Sequence, residues 1–345
     1  MSGTSLDGLD IALCEFEDSP TDFTYKILKA ETINYNVAQK NKLRSLPYLN
    51  VESYFKIHHQ FGKFMGKEVE KFLTNIIQKP NAVASHGHTV FHQPKRGFST
   101  QIGCGATIAA YTGLTTVCDF RSLDVALGGQ GAPLVPIGDE LLFGKFQSCL
   151  NLGGIANISY KKNNSRIAFD ICIVNMALNY FAQLAGSDYD KSGTWAKQGN
   201  FNEALFGDLN NLDFFKQKGA KSIGREWFEG EFLYCIENTK LPVNDILNTL
   251  VHHAGFQIAE VLNENKLNDV FVTGGGAYNT FLIETLEKYY KGKIIIPDST
   301  TINYKEALIF AFLGYLRLNE KTNTLKSVTG AKQDSIGGAV YLNKK

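Results

Sequence analysis

A glycine turn next to apolar strands occurs near the start of each half of this 345-residue chain, and this repetition constrains its fold most. In the first half the turn is Gly3-Thr4-Ser5-Leu6-Asp7-Gly8, and in the second half it is Gly153-Gly154. Alternating or continuous apolar runs predict the strands. These predicted strands lie at residues 9–16, 25–35, 82–85, 148–152, 155–160, 166–171 and 269–273.

Segments with apolar residues at helical spacing alternate with these strands, which predicts an α/β protein with mixed sheets. The predicted helices lie at residues 52–78, 174–185, 243–263, 280–290 and 304–318. We place an N-terminal domain at residues 1–138, because Pro133 and Pro136 mark a break there, and a C-terminal domain at residues 139–345. The last helix is expected to pack back on the first domain.

The charge of the chain argues against partners that are held by bulk electrostatics. The net charge is +1, so neither a nucleic acid nor a membrane surface is expected as a partner. The six cysteines form no CxxC pair, which favours reduced thiols over disulfides or a zinc site. The longest apolar stretch, residues 307–316, is too short to span a bilayer. We therefore expect a soluble, cytoplasmic protein.

Three glycine-rich segments have the composition of nucleotide-binding turns. Residues 3–8 offer backbone amides and hydroxyls to a phosphate, and Asp7 is a candidate Mg²⁺ ligand, directly or through water. Gly274-Gly275-Gly276 follows an apolar strand and precedes Asn279, so adenosine can lie on bare backbone there. Each segment alone is equally compatible with a plain turn. The candidate ATP-binding residues are Gly3, Thr4, Ser5, Leu6, Asp7, Gly8, Leu9, Asp10, Gly153, Gly154, Gly274, Gly275, Gly276 and Asn279.

Taken together, the motifs resemble those of the anhydro-N-acetylmuramic acid kinase family, in the same order and over nearly the whole chain. The matching stretches are MSGTSLDG, SHGHTVFHQP, CDFRSLDVALGGQGAPLVP, NLGGIANIS, YDKSGTWAKQG, KSIGREWF, VTGGGAYN and SVTGAKQDSIGGAVY. The resemblance implies a two-domain actin/hexokinase-like (ribonuclease H-like) fold with the ligand cleft between the domains. The partners that it implies are a small amino sugar and ATP with Mg²⁺, and a homodimer is left open.

The resemblance also implies an unusual kinase reaction of peptidoglycan recycling. A water molecule, activated by a carboxylate, opens a 1,6-anhydro sugar at its anomeric carbon, and the released 6-oxygen takes the γ-phosphoryl group of ATP. Asp170 matches the catalytic aspartate of the family. The alternative is that Asp170 caps the helix that follows it.

Six further residues are candidates for binding the sugar through this resemblance: His88, Thr89, Arg121, Asp124, Asn175 and Glu306. Arg121 can donate two hydrogen bonds to a carboxylate or to hydroxyls, and a pair with Asp119 is its alternative role. Glu306 is expected to accept from sugar hydroxyls, or else to interact with the dipole of a helix that it opens. His86, His88 and His92 suggest a metal site only superficially, because no carboxylate or cysteine is near them in sequence.

Two departures from the family pattern stand out. Members of the family read Asp-Thr-Gly-Pro-Gly-Asn where this chain reads Asp170-Ile171-Cys172-Ile173-Val174-Asn175, so a loop with a different path is expected. Members also carry an apolar strand before MSGTSLDG, whereas here Met1 comes first. We expect an unpaired edge beside residues 9–16, weak ATP binding and a low melting temperature. An upstream extension of about eight apolar-rich residues is expected to restore stability and activity.

Two rival functions follow from these departures and from the fold class. One is a sugar- or nucleotide-binding relative without turnover, which binding of ATP without product would identify. The other is an ATP-driven clamp of the chaperone type, which is disfavoured because no peptide-binding domain follows the ATPase-like segment.

Overall fold

The computed structural model describes residues 1–3, 6–19, 22–217, 219, 221–237 and 239–343. The chain forms two compact units, one of Met1–Leu142 with Tyr304–Lys345 and one of Phe143–Asn303. The sequence placed a domain boundary at residues 138 and 139. Both units combine strands and helices, so the expected α/β class is confirmed.

The strands, numbered in chain order, are β1 (Gly8–Asp18), β2 (Phe23–Asn34), β3 (Ala82–Ser85), β4 (His88–Gln93), β5 (Phe98–Ile102), β6 (Thr115–Cys118), β7 (Ser148–Leu152), β8 (Ile155–Lys162), β9 (Ser165–Ile173), β10 (Asp269–Thr273), β11 (Lys293–Ile295) and β12 (Ala339–Tyr341).

The α-helices are α1 (Val37–Ser45), α2 (Val51–Phe72), α3 (Gly105–Thr112), α4 (Ser122–Ala126), α5 (Pro136–Leu141), α6 (Asn175–Leu184), α7 (Thr194–Gln198), α8 (Glu203–Asn210), α9 (Asp213–Lys216), α10 (Arg225–Trp227), α11 (Leu233–Glu237), α12 (Val243–Glu264), α13 (Thr280–Tyr289), α14 (Ser299–Leu318) and α15 (Lys326–Thr329).

The described residues of the first unit form three small sheets. Strands β1 and β2 form a long antiparallel pair, β12-β6-β3 forms a three-stranded sheet, and β4 pairs with β5. Ser2 forms single bridges to Leu9 and to His88, and so connects β1 with β4. The core beneath these strands is apolar and includes Phe61 and Met65 of helix α2.

A cavity of about 370 Å³ lies in the first unit, with β1 and β3 both in its lining. Met65 and Val69 of α2 and Phe310 and Gly314 of α14 contribute to its walls. Among the residues that the structure describes, β1 pairs as a strand only with β2, and β3 only with β6. The cavity therefore lies beside the strand edge that the sequence predicted to be unpaired.

The second unit is built on one five-stranded sheet in the order β11-β10-β7-β8-β9. Strand β10 is parallel to both β7 and β11, whereas β8 is antiparallel to β7 and to β9. It follows that β7, β9 and β10 all point in one direction. The buried helix α12 contributes much of the apolar core, through residues such as Leu247, Val251 and Ile258.

Several predicted boundaries need correction. The helix expected at 52–78 ends at Phe72. The helix expected at 304–318 begins at Ser299, because the Asp298 carboxylate accepts from the backbone and side chain of Thr301 and so caps an earlier start. The strand expected to end at residue 171 continues to Ile173. None of the helices in the described part of the chain has the length and apolar character needed to cross a membrane.

Candidate active site

Three of the segments singled out in the sequence meet at one edge of the sheet in the second unit. Gly153-Gly154 follows β7, Gly274–Gly276 follows β10, and Asn175 begins α6 directly after β9. Because these three strands are parallel to one another, their carboxyl ends lie at the same edge. Ligands of open α/β sheets bind at this kind of edge.

The glycine triplet after β10 brings bare backbone to the surface. Gly274 has a φ of 84°, and a Cβ added there would lie 2.6 Å from Oδ1 of Asn151. A Cβ on Gly276 would lie 2.6 Å from Cβ of Leu152, so these two positions admit only glycine. Gly275 between them is exposed, and its added Cβ would meet no atom closer than 3.9 Å. It therefore offers a flat peptide surface to a ligand.

The turn at Gly153-Gly154 is fixed by the start of α6. The Gly154 carbonyl accepts from the N–H groups of Val174 at 2.9 Å and Met176 at 3.1 Å. The Asn175 N–H donates to the Gly153 carbonyl at 3.2 Å, and its side-chain Nδ2 donates to the Leu152 carbonyl at 3.1 Å. Asn175, expected to bind sugar, thus also joins the end of β7 to the helix.

A row of polar side chains crosses three strands just before this edge. Asn151 on β7 pairs with Asn157 on β8, which pairs in turn with Asp170 on β9. Directly paired residues point to the same face of a sheet, so all three side chains share one face. The expected catalytic carboxylate therefore lies within a strand, beside the amide of Asn157 and two strands away from that of Asn151.

The Asp170 carboxylate is held through one of its two oxygens. Oδ2 accepts from the Ile223 N–H at 2.9 Å and from the Ser222 hydroxyl at 3.1 Å. The Asp170 N–H donates to the Lys221 carbonyl at 2.9 Å. Oδ1 accepts no hydrogen bond from any residue that the structure describes. One oxygen is thus anchored, and the other is available to a water molecule.

Burial raises the pKa of Asp170 above its ordinary value, although the bonds from Ile223 and Ser222 act in the opposite direction. A raised pKa suits a carboxylate that must accept a proton from water. The alternative role as a helix cap is wrong, because Val174 is the N-cap of α6 and makes no side-chain capping bond. The expected loop at 171–174 is also wrong, since residues 171–173 continue the strand with their side chains buried.

In the first unit, Arg121 is held by His86 and by the glycine loop that follows α4. Its Nε and Nη2 lie 3.2 and 2.9 Å from Nε2 of His86, and its Nη1 donates to the Gly131 carbonyl at 2.6 Å. Asp119 instead accepts from the N–H and hydroxyl of Ser122, so the alternative Asp119–Arg121 pair is wrong. Burial lowers the pKa of Arg121 to about 10, so it remains a cation at neutral pH.

His86 is a neutral, buried acceptor for this cation. Its Nδ1 lies 3.1 Å from the Gly87 carbonyl, which assigns the ring proton to Nδ1 and leaves the Nε2 lone pair for Arg121. Burial, followed by the Arg121 charge, holds the pKa of His86 well below its ordinary value. His88, in contrast, has Nδ1 3.1 Å from the hydroxyl of Ser2, and burial lowers its pKa. The two rings therefore serve different partners.

Glu306 lies in the interior of α14, more than one turn beyond the cap at Asp298. Its alternative role in the first turn of the helix is therefore wrong. The carboxylate reaches solvent and forms no hydrogen bond with a described residue. The surrounding protein nevertheless removes much of its hydration, and this desolvation raises the pKa of Glu306, while the Met1 ammonium and then Arg121 lower it and Asp10 raises it. Glu306 and Arg121 thus influence each other electrostatically within the first unit.

Two other expected sugar contacts are engaged with the protein. Asp124 is buried, and its oxygens accept from the Gly131 N–H at 2.7 Å and from the Thr329 hydroxyl at 2.7 Å. It therefore supports the glycine loop, whose Gly131 carbonyl also accepts a hydrogen bond from Arg121. Thr89 accepts from Nε2 of Gln101 at 3.4 Å and remains half-buried.

The N-terminal turn offers backbone and one carboxylate. Leu6 and Leu9 are buried, so a ligand can contact only their main chain. A Cβ on Gly8 would lie 2.6 Å from the Ile33 carbonyl oxygen, which explains the glycine there. The side chain of Asp7 is exposed, whereas Oδ1 of Asp10 accepts from the Thr32 hydroxyl at 2.6 Å. The expected phosphate contacts Thr4 and Ser5 lie outside the described residues, and the half-buried Gly3 accepts from the Leu6 N–H at 3.3 Å.

The side chain of Asn279, expected to bind nucleotide, caps α13 by accepting from the Leu282 N–H at 3.1 Å. The described residues include no group of three histidines, cysteines or carboxylates that could hold a metal ion by themselves. Mg²⁺ in phosphate-transfer sites keeps several waters and uses one or two carboxylates together with the phosphates. The exposed Asp7 carboxylate fits that mode of binding.

The sequence did not reveal the partners of the charged groups. Ser222 and Ile223 lie in the stretch KSIGREWF, but no spacing rule links them to Asp170, which precedes them by about fifty residues. The contact of His86 with Arg121 was missed for the same reason. Asn151 and Asn157 are recognisable in the sequence, because they flank the Gly153-Gly154 turn, and the structure pairs them across β7 and β8.

The family model and the curated relatives agree with each other on the family. The family model described as anhydro-N-acetylmuramic acid kinase matches residues 1–343. Curated proteins of that name from Mannheimia succiniciproducens and Sulfurimonas denitrificans are 36% and 34% identical; each alignment covers 99% of this chain, and 97% and 98% of the respective protein. A ROK family glucokinase structure from Streptomyces griseus is 11% identical, with a TM-score of 0.35 over 83% of this chain and 94% of that one. Such a weak structural likeness supports no inference about mechanism. The match over the whole chain is decisive: the chain belongs to the anhydro-N-acetylmuramic acid kinase family.

Proposed function

We propose that the protein is an ATP-dependent kinase that opens 1,6-anhydro-N-acetylmuramic acid with water and yields N-acetylmuramic acid 6-phosphate, for peptidoglycan recycling. The observation that carries the proposal is the Asp170 carboxylate, anchored through Oδ2 and unengaged at Oδ1, in a chain that belongs to this family. Because ATP is supplied in the cytoplasm, we place the reaction there.

The bonds that change determine which groups the enzyme must provide. Water attacks the anomeric carbon, the bond from that carbon to the 6-oxygen breaks, and the water loses one proton to a base. The released 6-oxygen forms a bond to the γ-phosphorus of ATP, and ADP leaves. The phosphoryl group takes the place of the general acid used by inverting glycosidases, so a single base is sufficient.

Asp170 is the base in this proposal. Oδ1 takes the proton from water while Oδ2 keeps its two hydrogen bonds, so the carboxylate does not reorient during the step. Its raised pKa increases its affinity for that proton. The adjacent exposed amide of Asn157, on the same face of the sheet, is in position to assist in orienting a polar ligand.

Arg121 and Glu306 supply opposite charges for recognition of the sugar. The Arg121 fork suits the lactyl carboxylate, and the unengaged Glu306 carboxylate suits hydroxyl donors. His88 and Thr89 on β4 and Asn175 at the start of α6 are proposed as further contacts. Asp124 contributes by holding the Gly131 backbone in place.

ATP is proposed to bind through the three glycine segments. Gly153 and Gly154, and the turn from Gly3 to Asp10, provide amides for the phosphates, and Gly275 provides the flat backbone for adenosine. Asp7 would hold Mg²⁺ directly or through water. The ion neutralises charge on the phosphates.

Incubation of the purified protein with the anhydro sugar and Mg-ATP tests the proposal. The expected product is a sugar heavier by one phosphoryl group and one water, formed in equal amount with ADP and identified by mass spectrometry. Binding of both ligands without this product would instead identify a non-catalytic relative. ADP formation without sugar phosphate would mark an ATPase.

A further inference from the structure

We infer that Ser222 is a positioning residue for the base, because its hydroxyl and the Ile223 amide together fix one oxygen of Asp170 and leave the other to take the proton. The inference rests on the proposed function, and it assigns a role to a loop residue that does not itself contact the reacting atoms.

The segment around Ser222 contacts Asp170 through both its backbone and its side chain. The Lys221 carbonyl accepts from the Asp170 N–H at 2.9 Å, so the segment is hydrogen-bonded to β9 at that residue. The next two residues then donate to the carboxylate, Ser222 from its hydroxyl at 3.1 Å and Ile223 from its backbone at 2.9 Å. Three consecutive residues therefore surround one aspartate.

Both donors bind the same oxygen, and this has a chemical consequence. A carboxylate rotates readily about its terminal bond and can exchange its two oxygens. Two hydrogen bonds to Oδ2 oppose that rotation and keep Oδ1 as the free oxygen. They also favour the ionised form, which is the form that acts as a base.

The two donors differ in what a mutation can remove. The Ile223 bond comes from the backbone of a buried residue and persists in most variants. The Ser222 side chain is exposed, and its hydroxyl bond to Asp170 is the contact that substitution would delete. Replacing Ser222 is therefore expected to change the hydrogen bonding and the pKa of the Asp170 carboxylate without disturbing the core.

Strand β9 also contains the buried Arg166, whose Nη2 donates to the Ser159 hydroxyl. The ionisable groups nearest to Asp170 along β9 and the contacting segment are Cys172, two residues along β9, and Lys221. Burial raises the pKa of the Cys172 thiol, which keeps it neutral. The Lys221 ammonium donates to the carbonyls of Phe214 and Gln217. Substitution of Ser222 leaves both groups in place, so a change in the pH profile reports on Asp170.

The test compares the pH dependence of kcat/KM for wild type, Ser222→Ala and Ser222→Thr. Loss of a donor to the ionised form raises the pKa of Asp170, so the acidic limb of the Ala profile should move to higher pH. A shift of about one unit lowers the rate roughly tenfold on the acidic side. The rate should recover at high pH, KM for ATP should stay unchanged, and the Thr variant should behave as wild type.

Ser187→Ala is the matched control, because Ser187 is a half-buried serine of the same unit whose hydroxyl donates to the Tyr189 carbonyl. Its profile should equal that of wild type. If Ser222→Ala impairs folding, Ser222→Val is compared with Ser222→Thr, since these two differ only in the hydroxyl.

Each outcome decides one question. Wild-type protein that forms no sugar phosphate refutes the proposed function itself. Active wild type with identical profiles for the hydroxyl and hydroxyl-free variants overturns the positioning role and leaves the function intact. A uniform loss at every pH that the Ser222→Thr variant shares, or weakened ATP binding, also overturns it, because a purely structural role would give that result in both variants.

Discussion

Replacing Asp170 with Asn removes the proposed base while it conserves the shape of the side chain. The donors on Ile223 and Ser222 require an acceptor, so the new amide is expected to turn its carbonyl oxygen toward them. Its NH₂ group then occupies the place of Oδ1, where it cannot accept a proton from water. The site keeps its geometry and loses its basicity.

The effect on turnover follows from the usual contribution of a well-placed base. General base catalysis contributes roughly 10²- to 10⁴-fold, so kcat should fall by that factor. This corresponds to about 3 to 5 kcal/mol of transition-state stabilisation. The KM for ATP should not change, because Asp170 belongs to no nucleotide-binding segment.

Asp170→Asn should have a small effect on stability, and this effect should be favourable, whereas the effect on turnover is unfavourable. Burial raises the pKa of Asp170, so the folded state favours the protonated carboxyl. That contribution to stability is present at low pH and is lost as the pH rises through the raised pKa. At neutral pH the ionised group therefore costs stability, and the neutral amide should leave the melting temperature unchanged or slightly higher.

Rates of sugar phosphate formation at saturating substrate, together with thermal melts of both proteins, check these expectations. Near-normal turnover in the Asn variant would refute the assignment and move the base to Glu306. Asp124 is a weaker substitute, since both of its oxygens already accept hydrogen bonds.

Three further predictions concern binding and packing. Arg121→Lys keeps the charge but loses the planar fork, so calorimetry should show sugar affinity weaker by about 1 to 3 kcal/mol and unchanged ATP affinity; equal sugar affinity would make Arg121 a support for its neighbours only. Gly275→Ala should weaken ATP binding at an unchanged melting temperature, whereas Gly276→Ala should lower the melting temperature, because its Cβ would lie 2.6 Å from another side-chain carbon; identical melts would refute this. Gly314→Ala should destabilise the protein by about 1 to 3 kcal/mol in urea unfolding, because the added carbon would lie 2.6 Å from a carbon of β3. Gly207→Ala in α8 should instead stabilise it by about 0.5 to 1 kcal/mol, because the added carbon would meet no atom within 4 Å.

Local pattern was sufficient to predict most strands and the position of the glycine turns. Strands at 148–152 and 269–273 were predicted with their observed bounds, because apolar runs flanked by glycine leave little choice. Two helix boundaries were missed, and a particular residue explains one of them. Asp298 caps α14 earlier than its apolar face begins, and α2 ends at Phe72 although helical spacing of apolar residues continues to Ile76.

The charged contacts could not be predicted, because they depend on tertiary structure. Within the protein, Arg121 was expected to pair with Asp119 if it did not bind the sugar, and the structure places it against His86, a residue thirty-five positions earlier. Asp170 was expected at the end of a strand, but Ile171, Cys172 and Ile173 extend β9 into the core. Spacing along the chain carries no information about such partners.

The source of the new oxygen in the product tests the central claim most directly. The reaction is run in water labelled in its oxygen atom, and the sugar is reduced at once to prevent exchange at the anomeric carbon. We expect one labelled oxygen on that carbon and an unlabelled phosphate ester at the 6-oxygen. The Asp170→Asn variant should form this sugar phosphate and ADP roughly 10²- to 10⁴-fold more slowly. Labelled phosphate, or an anomeric carbon without label, would contradict hydrolytic opening coupled to phosphoryl transfer.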